Sequence, residues 1–387
     1  MHRVATIAAI VDQHAEDAAF LWQRRRREID APILDAADIG RLDQRLEANL
    51  EGLLAAGTAG WEAALARFTD YPEPSELFVL GTLALRWGDA DLVTVAIDAA
   101  GPLGDVGTSS LSAAIARTPR ESLRPFVADW LHTRDALRRS LGLSSLWHHR
   151  VDAGPWLRNL TKDSDLRVRR RAVKLAGAVK RRDLLAEVLT GLDGETPAER
   201  FTAAVAACLL GEIRTAQPVI DKIVTADSGL SGPAIEIGLL TRTTAAGKAW
   251  LQTHLDQPAL RGVATASIGL LGNRMVMPWL IEKMREPDLV VASGAALRDL
   301  FEVDFGDTDL FAVDPAALGK DFVHLDETSL PVADKVEEWW DEGRGGHSHR
   351  PFKSMRRLRI GALRAALATS DAPLADWRAT RRYPAWT

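Results

Sequence analysis

The stretch DSDLRVRRRAVKLAGAV, residues 163–179, decides how the rest of the chain reads. At about 100° per residue around a helix, Val168, Ala172, Leu175, Ala176 and Val179 fall on one side. Arg167, Arg170, Arg171 and Lys174 fall on the opposite side. The pattern therefore predicts a helix that packs through one face and turns a strongly basic face away from the packing. Such a helix cannot bury its apolar side alone, so partners of the same kind are expected along the chain.

They are found. ELFVLGTLALRWG (76–88), ERFTAAVAACLLG (199–211) and LRGVATASIGLLG (260–272) follow the order of LRVRRRAVKLAG (166–177), and DLVVASGAALRDL (288–300) is a weaker copy. In the four stronger copies Val79, Val168, Thr202 and Val263 stand the same distance ahead of a closing glycine, namely Gly88, Gly177, Gly211 and Gly272. From Leu166 on, the copies lie about 30 residues apart or a multiple of that, the period of helix-pair arrays. Between them the sequence predicts partner helices over 92–99, 122–131, 156–160, 184–189, 219–224, 248–254 and 276–284. Pro125, Pro218 and Pro278 near their starts or middles would kink them. The copies near 108–116 and 133–143 are more degenerate.

Composition agrees with a helical reading. The chain has 387 residues, 47% of them hydrophobic, and only 2 tyrosines, with little β-branched alternation. The 48 Lys and Arg nearly cancel 53 Asp and Glu, for a formal net charge of -5, which argues against a dedicated nucleic-acid binder. The single cysteine, Cys208, lies in the apolar run AAVAACLLG, so the chain can build neither a disulfide nor a cysteine zinc site, and a buried spectator thiol is expected. The short apolar run before Asp12 lacks a cleavage pattern behind it, and no apolar stretch approaches the roughly 20 residues of a membrane span. A soluble cytoplasmic protein is the expectation.

The ends differ from the middle. A first helix is predicted over 4–27, with Ile7, Ile10, Val11, Ala18, Phe20, Leu21 and Trp22 apolar and four arginines, Arg24 to Arg27, as a solvated end that complements the helix dipole. A second is predicted over 35–56 through Leu42, Leu46, Leu50, Leu53 and Leu54, stopped by Gly57. Together they read as an antiparallel hairpin capping the array. After Phe301 the pattern gives way to an acidic, turn-rich segment, a helix over 335–340 ending in Trp339 and Trp340, a glycine-rich loop, and a helix over 352–368. That last helix carries Phe352, Met355, Leu358, Ala362 and Ala366 on one side and Lys353, Arg357 and Arg364 on another. The sequence thus predicts an all-α protein, an α-solenoid of helix pairs over 59–301 with an N-terminal helical hairpin over 1–58 and a C-terminal cap region over 302–387.

Catalytic signatures are not found: there is no phosphate-binding loop ending in Gly-Lys-Ser/Thr, no Gly-x-Ser-x-Gly elbow and no His-Glu-x-x-His. His347 and His349, with His324 upstream, sit among glycines without a cysteine and read as a polar loop rather than a metal site. Asp304, Asp307 and Asp309 resemble a cation loop yet lack the glycine and closing glutamate of an EF-hand. Most of the 12 tryptophans, Trp61, Trp87, Trp130, Trp147, Trp156, Trp250 and Trp279 among them, are expected to fill gaps in the array. Neighbouring residues on a helix point about 100° apart. Of Trp339 and Trp340, then, one should pack on the last repeat and the other lie nearer the surface. The residues expected to meet a partner are Arg167, Arg170, Arg171, Lys174, Trp339 and Trp340, with no catalytic, cofactor or metal residue among them.

The order Asp163, Val168, Arg169, Ala172, Gly177 resembles the second helix of a HEAT repeat. On that resemblance Asp163 and Arg169 are the pair that links adjacent repeats. QHAEDAAFLWQRRR (13–26), DIGRLDQRLEANLEGLLAAGTAGWE (38–62), DLFEVDF (299–305) and Glu337-Glu338-Trp339-Trp340 look like a family of bacterial HEAT-repeat proteins often encoded among type VI secretion components. The resemblance implies an accessory, adaptor or immunity role in bacterial secretion, and the basic face of 163–179 adds the expectation of a non-catalytic scaffold that meets an acidic surface of another protein. The alternative it leaves is a HEAT-like DNA-binding enzyme of the alkylpurine DNA glycosylase type, which uses tryptophans and a carboxylate in a basic groove.

Overall fold

A computed structural model describes residues 7–29, 34–226, 228–302, 305, 308–343 and 354–368. Among these the protein is all-α, save for one two-residue antiparallel pair, β1 (Phe311–Ala312) with β2 (Leu330–Pro331), and an isolated bridge between Asp35 and Ser354. His347, His349, Asp304 and Asp307 lie outside the described residues. The chain divides into two compact units. The described part of the first is 7–29 and Ala37–Asp193, and that of the second is 34–36 and Gly194–Ala368. The division falls inside the stretch that reads as one array.

The first unit contains α1 (Ala8–Glu28), α2 (Ala36–Ala56), α3 (Thr58–Asp70), α4 (Pro74–Trp87), α5 (Ala90–Ala100), α6 (Gly104–Ala116), α7 (Arg120–His132), α8 (Ala136–His149), α9 (Trp156–Leu160), α10 (Leu166–Ala178) and α11 (Leu185–Thr190). Helix α4 packs on α6, α6 on α8 and α8 on α10, and each of these four is paired with the helix before it. The starts are written in the sequence: Pro74 opens α4 at a position where a missing N–H costs nothing, and Asp89, Asp135 and Asp165 cap α5, α8 and α10 by accepting backbone N–H bonds. The second unit contains α12 (Pro197–Leu209), α13 (Ile213–Thr225), α14 (Ser231–Leu240), α15 (Thr244–Leu255), α16 (Pro258–Ser267), α17 (Met277–Met284), α18 (Pro287–Phe301), α19 (Ala333–Asp341) and α20 (Met355–Ala368). There α14 packs on α16 and α16 on α18, while α20 lies against α12 and α14.

Two backbone devices recur with the repeat. The first is a residue in the left-handed conformation at or just past the end of the second helix of a pair: Gly88 (φ 69°), Arg150 (55°), Lys180 (58°), Gly211 (97°), Gly272 (66°) and Glu302 (54°). The intervals are about 30 residues or twice that. This corrects the alignment of α10 on Gly177, which is buried inside the helix; the stop is Lys180, and glycine is not the residue that marks it. The second device is an arginine the same distance ahead of four of these six stops, Arg150, Lys180, Gly211 and Gly272, while the corresponding places ahead of Gly88 and Glu302 hold Leu77 and Val291. Arg139 Nη1 donates to the carbonyls of Thr133 (3.1 Å) and Arg134 (2.8 Å), Arg169 Nη1 to those of Asp163 (2.8 Å) and Ser164 (3.2 Å), and Arg200 Nη1 to those of Gly194 (2.8 Å) and Glu195 (3.2 Å). Arg261 Nε donates to Leu255 O at 3.1 Å. Each guanidinium satisfies carbonyls that the entering loop leaves without a helical partner. Asp163 in turn accepts two bonds from Arg139, at 2.8 and 2.9 Å, so its link runs to α8.

Three readings of the ends are corrected. Ile7, Ile10 and Phe20 are exposed, because α1 turns Val11, Ala15, Ala18, Leu21 and Trp22 onto α3 and α4, with Trp22 stacked on Phe78 at 4.8 Å. The arginine run is not wholly solvated: Arg25 is buried and donates to Asp43 on α2 at 2.6 Å. Burial works to raise the Asp43 carboxyl, but Arg25 and Arg117 outweigh it and hold the group below the usual carboxylate range. In α20 the buried face is Met355, Arg359, Ile360, Leu363 and Ala366, while Leu358 and Ala362 are half-buried. The rotation follows from charge. Arg356 and Arg359 reach Glu236 on α14 at 2.7 and 2.9 Å, and Arg356 also meets Asp299 on α18 at 3.2 Å.

The left-handed stops yield a test free of packing effects, since an added Cβ at Gly88 or Gly272 meets nothing within 4 Å. Gly88→Ala and Gly272→Ala should each cost about 1 kcal/mol through backbone strain alone, and Lys180→Gly should shift stability the other way. Urea denaturation checks this; unchanged midpoints in all three would remove the role given to the positive φ.

Candidate functional site

Helix α8 is enclosed from Ser140 to His148, every one of those residues being buried. A helix with neighbours on most sides has no fully polar face, so its polar residues must find partners inside. Ser145 does so on its own helix, donating to Leu141 O at 3.0 Å. Ser144 and His148, one turn apart, point instead towards α6, where Ser112 is also buried. The Ser112 and Ser144 hydroxyls are hydrogen-bonded to each other, and His148 Nε2 stands 3.3 Å from Ser112 Oγ.

Helix α10 closes the cluster from the other side of α8. Arg171 Nη1 donates to Ser112 Oγ at 3.4 Å, and Lys174 Nζ sits over the Trp147 ring, 3.8 Å from its centroid. Trp147 meets His148 edge-on at 4.7 Å. Two cations, two hydroxyls, an imidazole and an indole from the three helices α6, α8 and α10 thus share one place. The cation and ring contact is worth about 0.5–2 kcal/mol.

This placement corrects the expected solvent-facing basic surface. Arg167, Arg170, Arg171 and Lys174 are all half-buried, because α8 lies along the side of α10 that helical periodicity alone leaves open. Arg167 is turned to its own N-cap, pairing with Asp165 at 2.9 Å. Arg170 and Arg171 have no carboxylate partner among the described residues. Burial pushes the Arg171 guanidinium down to about 10, helped by the positive charges of Arg170 and Arg167 and opposed by Asp105 on α6. Burial likewise holds the Lys174 ammonium well below the usual lysine value, with Arg171 and Arg170 adding to the effect.

Trp339 and Trp340 belong to the second unit. Trp339 is only 6% exposed, edge-on to Phe301 at 5.0 Å and to Phe305 at 5.7 Å, within a core that includes Met277, Leu280, Leu297 and Val336. Trp340 is half-buried and meets Phe301 at 6.1 Å. Of the two rings, Trp340 is the one a partner can reach. Elsewhere, Cys208 is buried and its thiol is pushed up to about 12 by that burial, which leaves it protonated. Among the described residues no group of three or more His, Cys, Asp or Glu side chains is placed to hold a metal ion, and no helix is long and apolar enough to cross a membrane. Asp309, from the acidic loop, is paired with Lys335 at 2.8 Å.

The sequence reading passed over Ser112, Ser144 and His148, and took Trp147 for a gap filler. Their signal is present: Ser140, Ser144 and His148 recur every fourth residue along α8, which places three polar groups on one stripe of a buried helix. Comparison of the chain with family models, with curated proteins and with solved structures gave no match.

Two measurements follow. Because the folded Lys174 is depressed, the unfolded chain binds the extra proton between that value and the ordinary value of 10.5, so this residue makes stability rise with pH across the window. Lys174→Met should flatten that rise relative to the parent in denaturation curves taken from pH 7 to 10; parallel curves would show that the ammonium is not held in an unfavourable place. Trp339→Ala should cost about 3–5 kcal/mol, as for other large buried aromatic truncations, and Trp340→Ala clearly less, read from the same unfolding transition.

Proposed function

We propose that this protein is a HEAT-like α-solenoid acting as a non-catalytic protein-binding scaffold, an accessory, adaptor or immunity protein of bacterial type VI secretion in the cytoplasm. The periodic left-handed stops, the repeated arginine device and the packing of successive second helices support the solenoid reading. The secretion context rests on the resemblance of 13–26, 38–62, 299–305 and 337–340.

The observation that carries the binding surface is the contrast between α10 and the other arginines of the repeats. Arg139 pairs with Asp163, Arg158 with Glu187, Arg181 with Asp152 and Arg242 with Asp221. Arg170 and Arg171 pair with no carboxylate among the described residues, and their like charges one turn from Arg167 and Lys174 repel by a few tenths of a kcal/mol each. Such a concentration of half-desolvated positive charge is offset when a partner supplies the negative charge. An acidic surface on another protein is the complement it asks for.

Affinity capture from nuclease-treated extracts of a bacterium with a type VI system tests this. A partner retained by the parent and lost by the Arg167→Glu, Arg170→Glu, Lys174→Glu triple variant, with far-ultraviolet circular dichroism unchanged, is the expected outcome. Its retention should weaken with salt in the parent and less so in the variant. Equal capture by a folded variant would overturn the reading. Specific binding of alkylated duplex DNA with release of a base would favour the glycosylase-type alternative instead.

A further inference from the structure

We infer that the place shared by α6, α8 and α10 in the first unit is an oxyanion-binding site, taking one carboxylate or phosphoryl group carried by a protein partner. The inference deepens the binding role proposed above by naming the group recognised and the residues that hold it.

Its parts are donors. Arg171 presents a guanidinium whose only described side-chain contact is the 3.4 Å bond to Ser112 Oγ, long for a charged donor, and the remaining N–H groups of its planar fork match the two oxygens of a carboxylate or phosphate. Lys174, one turn along, adds a second positive charge held over Trp147. Ser144 supplies a hydroxyl whose proton faces an incoming anion when Ser112 donates to Ser144 and accepts from His148 Nε2, and Ser112, with its remaining place taken by the Arg171 N–H, holds the guanidinium in position. His148 Nε2 stands 3.3 Å from Ser112 Oγ and fixes that hydroxyl from behind. The nearest acidic influence on Arg171 is Asp105, too distant to form an ion pair.

Geometry also separates this group from a solvated charge run. Hydroxyls and imidazole are buried while the two cations are half-buried, so an incoming group meets the guanidinium and ammonium first and the serines behind them. An anion there would neutralise charges that burial now disfavours, and in a partly desolvated place each charged hydrogen bond is stronger than at an open surface. Three helices contribute, so the site exists only when α6, α8 and α10 are stacked. Recognition is thereby a property of the array and not of the α10 sequence alone.

The full chain is titrated with inorganic phosphate, with a short acetylated aspartate-rich peptide and with the same peptide carrying one phosphoserine, at fixed ionic strength set by chloride. Binding is followed by calorimetry and by the rise in melting temperature that linkage requires. Saturable binding of at least one probe is expected, weakened about tenfold or more in Arg171→Gln and about threefold in Ser112→Ala, and unchanged in Arg27→Gln, whose arginine is exposed on α1. The two peptides decide between a side-chain carboxylate and a phosphoryl group as the natural source. Absence of saturable binding by all three probes, or equal binding by Arg171→Gln, overturns the inference. Should that happen while the triple α10 variant still loses its captured partner, the scaffold reading stands and only the oxyanion site falls; loss of both returns α10 to a purely structural role. If Arg171→Gln fails to fold, Arg171→Lys keeps the charge without the fork, and a drop in its affinity for the probes serves as the same test.

Discussion

The close approach of consecutive second helices is the constraint on which the rest depends. In α4 every residue from Ser75 to Leu85 is buried, and such a helix tolerates only what its neighbours leave room for. A Cβ added at Gly81 would lie 2.6 Å from Leu111 Cδ2 on α6, and one at Gly269 would lie 2.4 Å from Ala296 O on α18. Glycine within a helix costs about 1 kcal/mol relative to alanine. At Gly269 the obstacle is backbone, which cannot yield, while at Gly81 it is the end of the Leu111 side chain, which would have to repack. The same closeness explains the wealth of Ala and Ser in the second helices, and why Thr82 and Ser110 turn their hydroxyls back to Phe78 O and Val106 O.

Enclosure has an electrostatic consequence. Loops that enter a crowded helix cannot rely on water for all their carbonyls, and ahead of α8, α10, α12 and α16 an arginine reaching back across the turn serves them. The guanidinium suits this task because one nitrogen spans two carbonyls while the others remain available for a carboxylate, as Arg139 does with Asp163. Arg171 stands outside this series, whose member in α10 is Arg169, and its charge is left over in a place of reduced solvation beside Ser112.

The helices themselves were legible because their signals are local. Period, N1 prolines and aspartate caps each act within a turn or two, and the predicted helix 156–160 is α9 (Trp156–Leu160) as found. Even the degenerate copy near 133–143 is a helix, α8, since enclosure selects for small residues whatever their order. What was not legible depends on distance in the chain. The basic side of α10 looked open because a helical wheel contains no neighbour, and Ser112 lies far from Arg171 in sequence. The face of α20 was misread by hydrophobicity because its orientation is set by Glu236 and Asp299, buried carboxylates that demand guanidinium partners more strongly than Leu358 demands burial. The repeat register was misread at Gly177 because the backbone stop, Lys180, carries a side chain that sequence comparison does not associate with positive φ.

The stops that are not glycine deserve a physical account, and Glu302 supplies one. A side chain in the left-handed region costs about 1 kcal/mol that glycine would avoid. At Glu302, the end of α18, the carboxylate receives Arg357 of α20 at 3.1 Å, while Arg357 also donates through Nε to Asp299 O at 2.9 Å. Glycine there would relieve the backbone and remove an ion pair that helps seat the last helix. The same position that elsewhere only ends a helix thus becomes an anchor between α18 and α20. The cover of α18 is supplied by α20 and by the β1 and β2 pair, with Gly294 of α18 close enough to Pro331 that an added Cβ would lie 2.9 Å from its Cδ. Glu302 thus ends α18 in the left-handed conformation and at the same time holds Arg357 of α20 through its carboxylate.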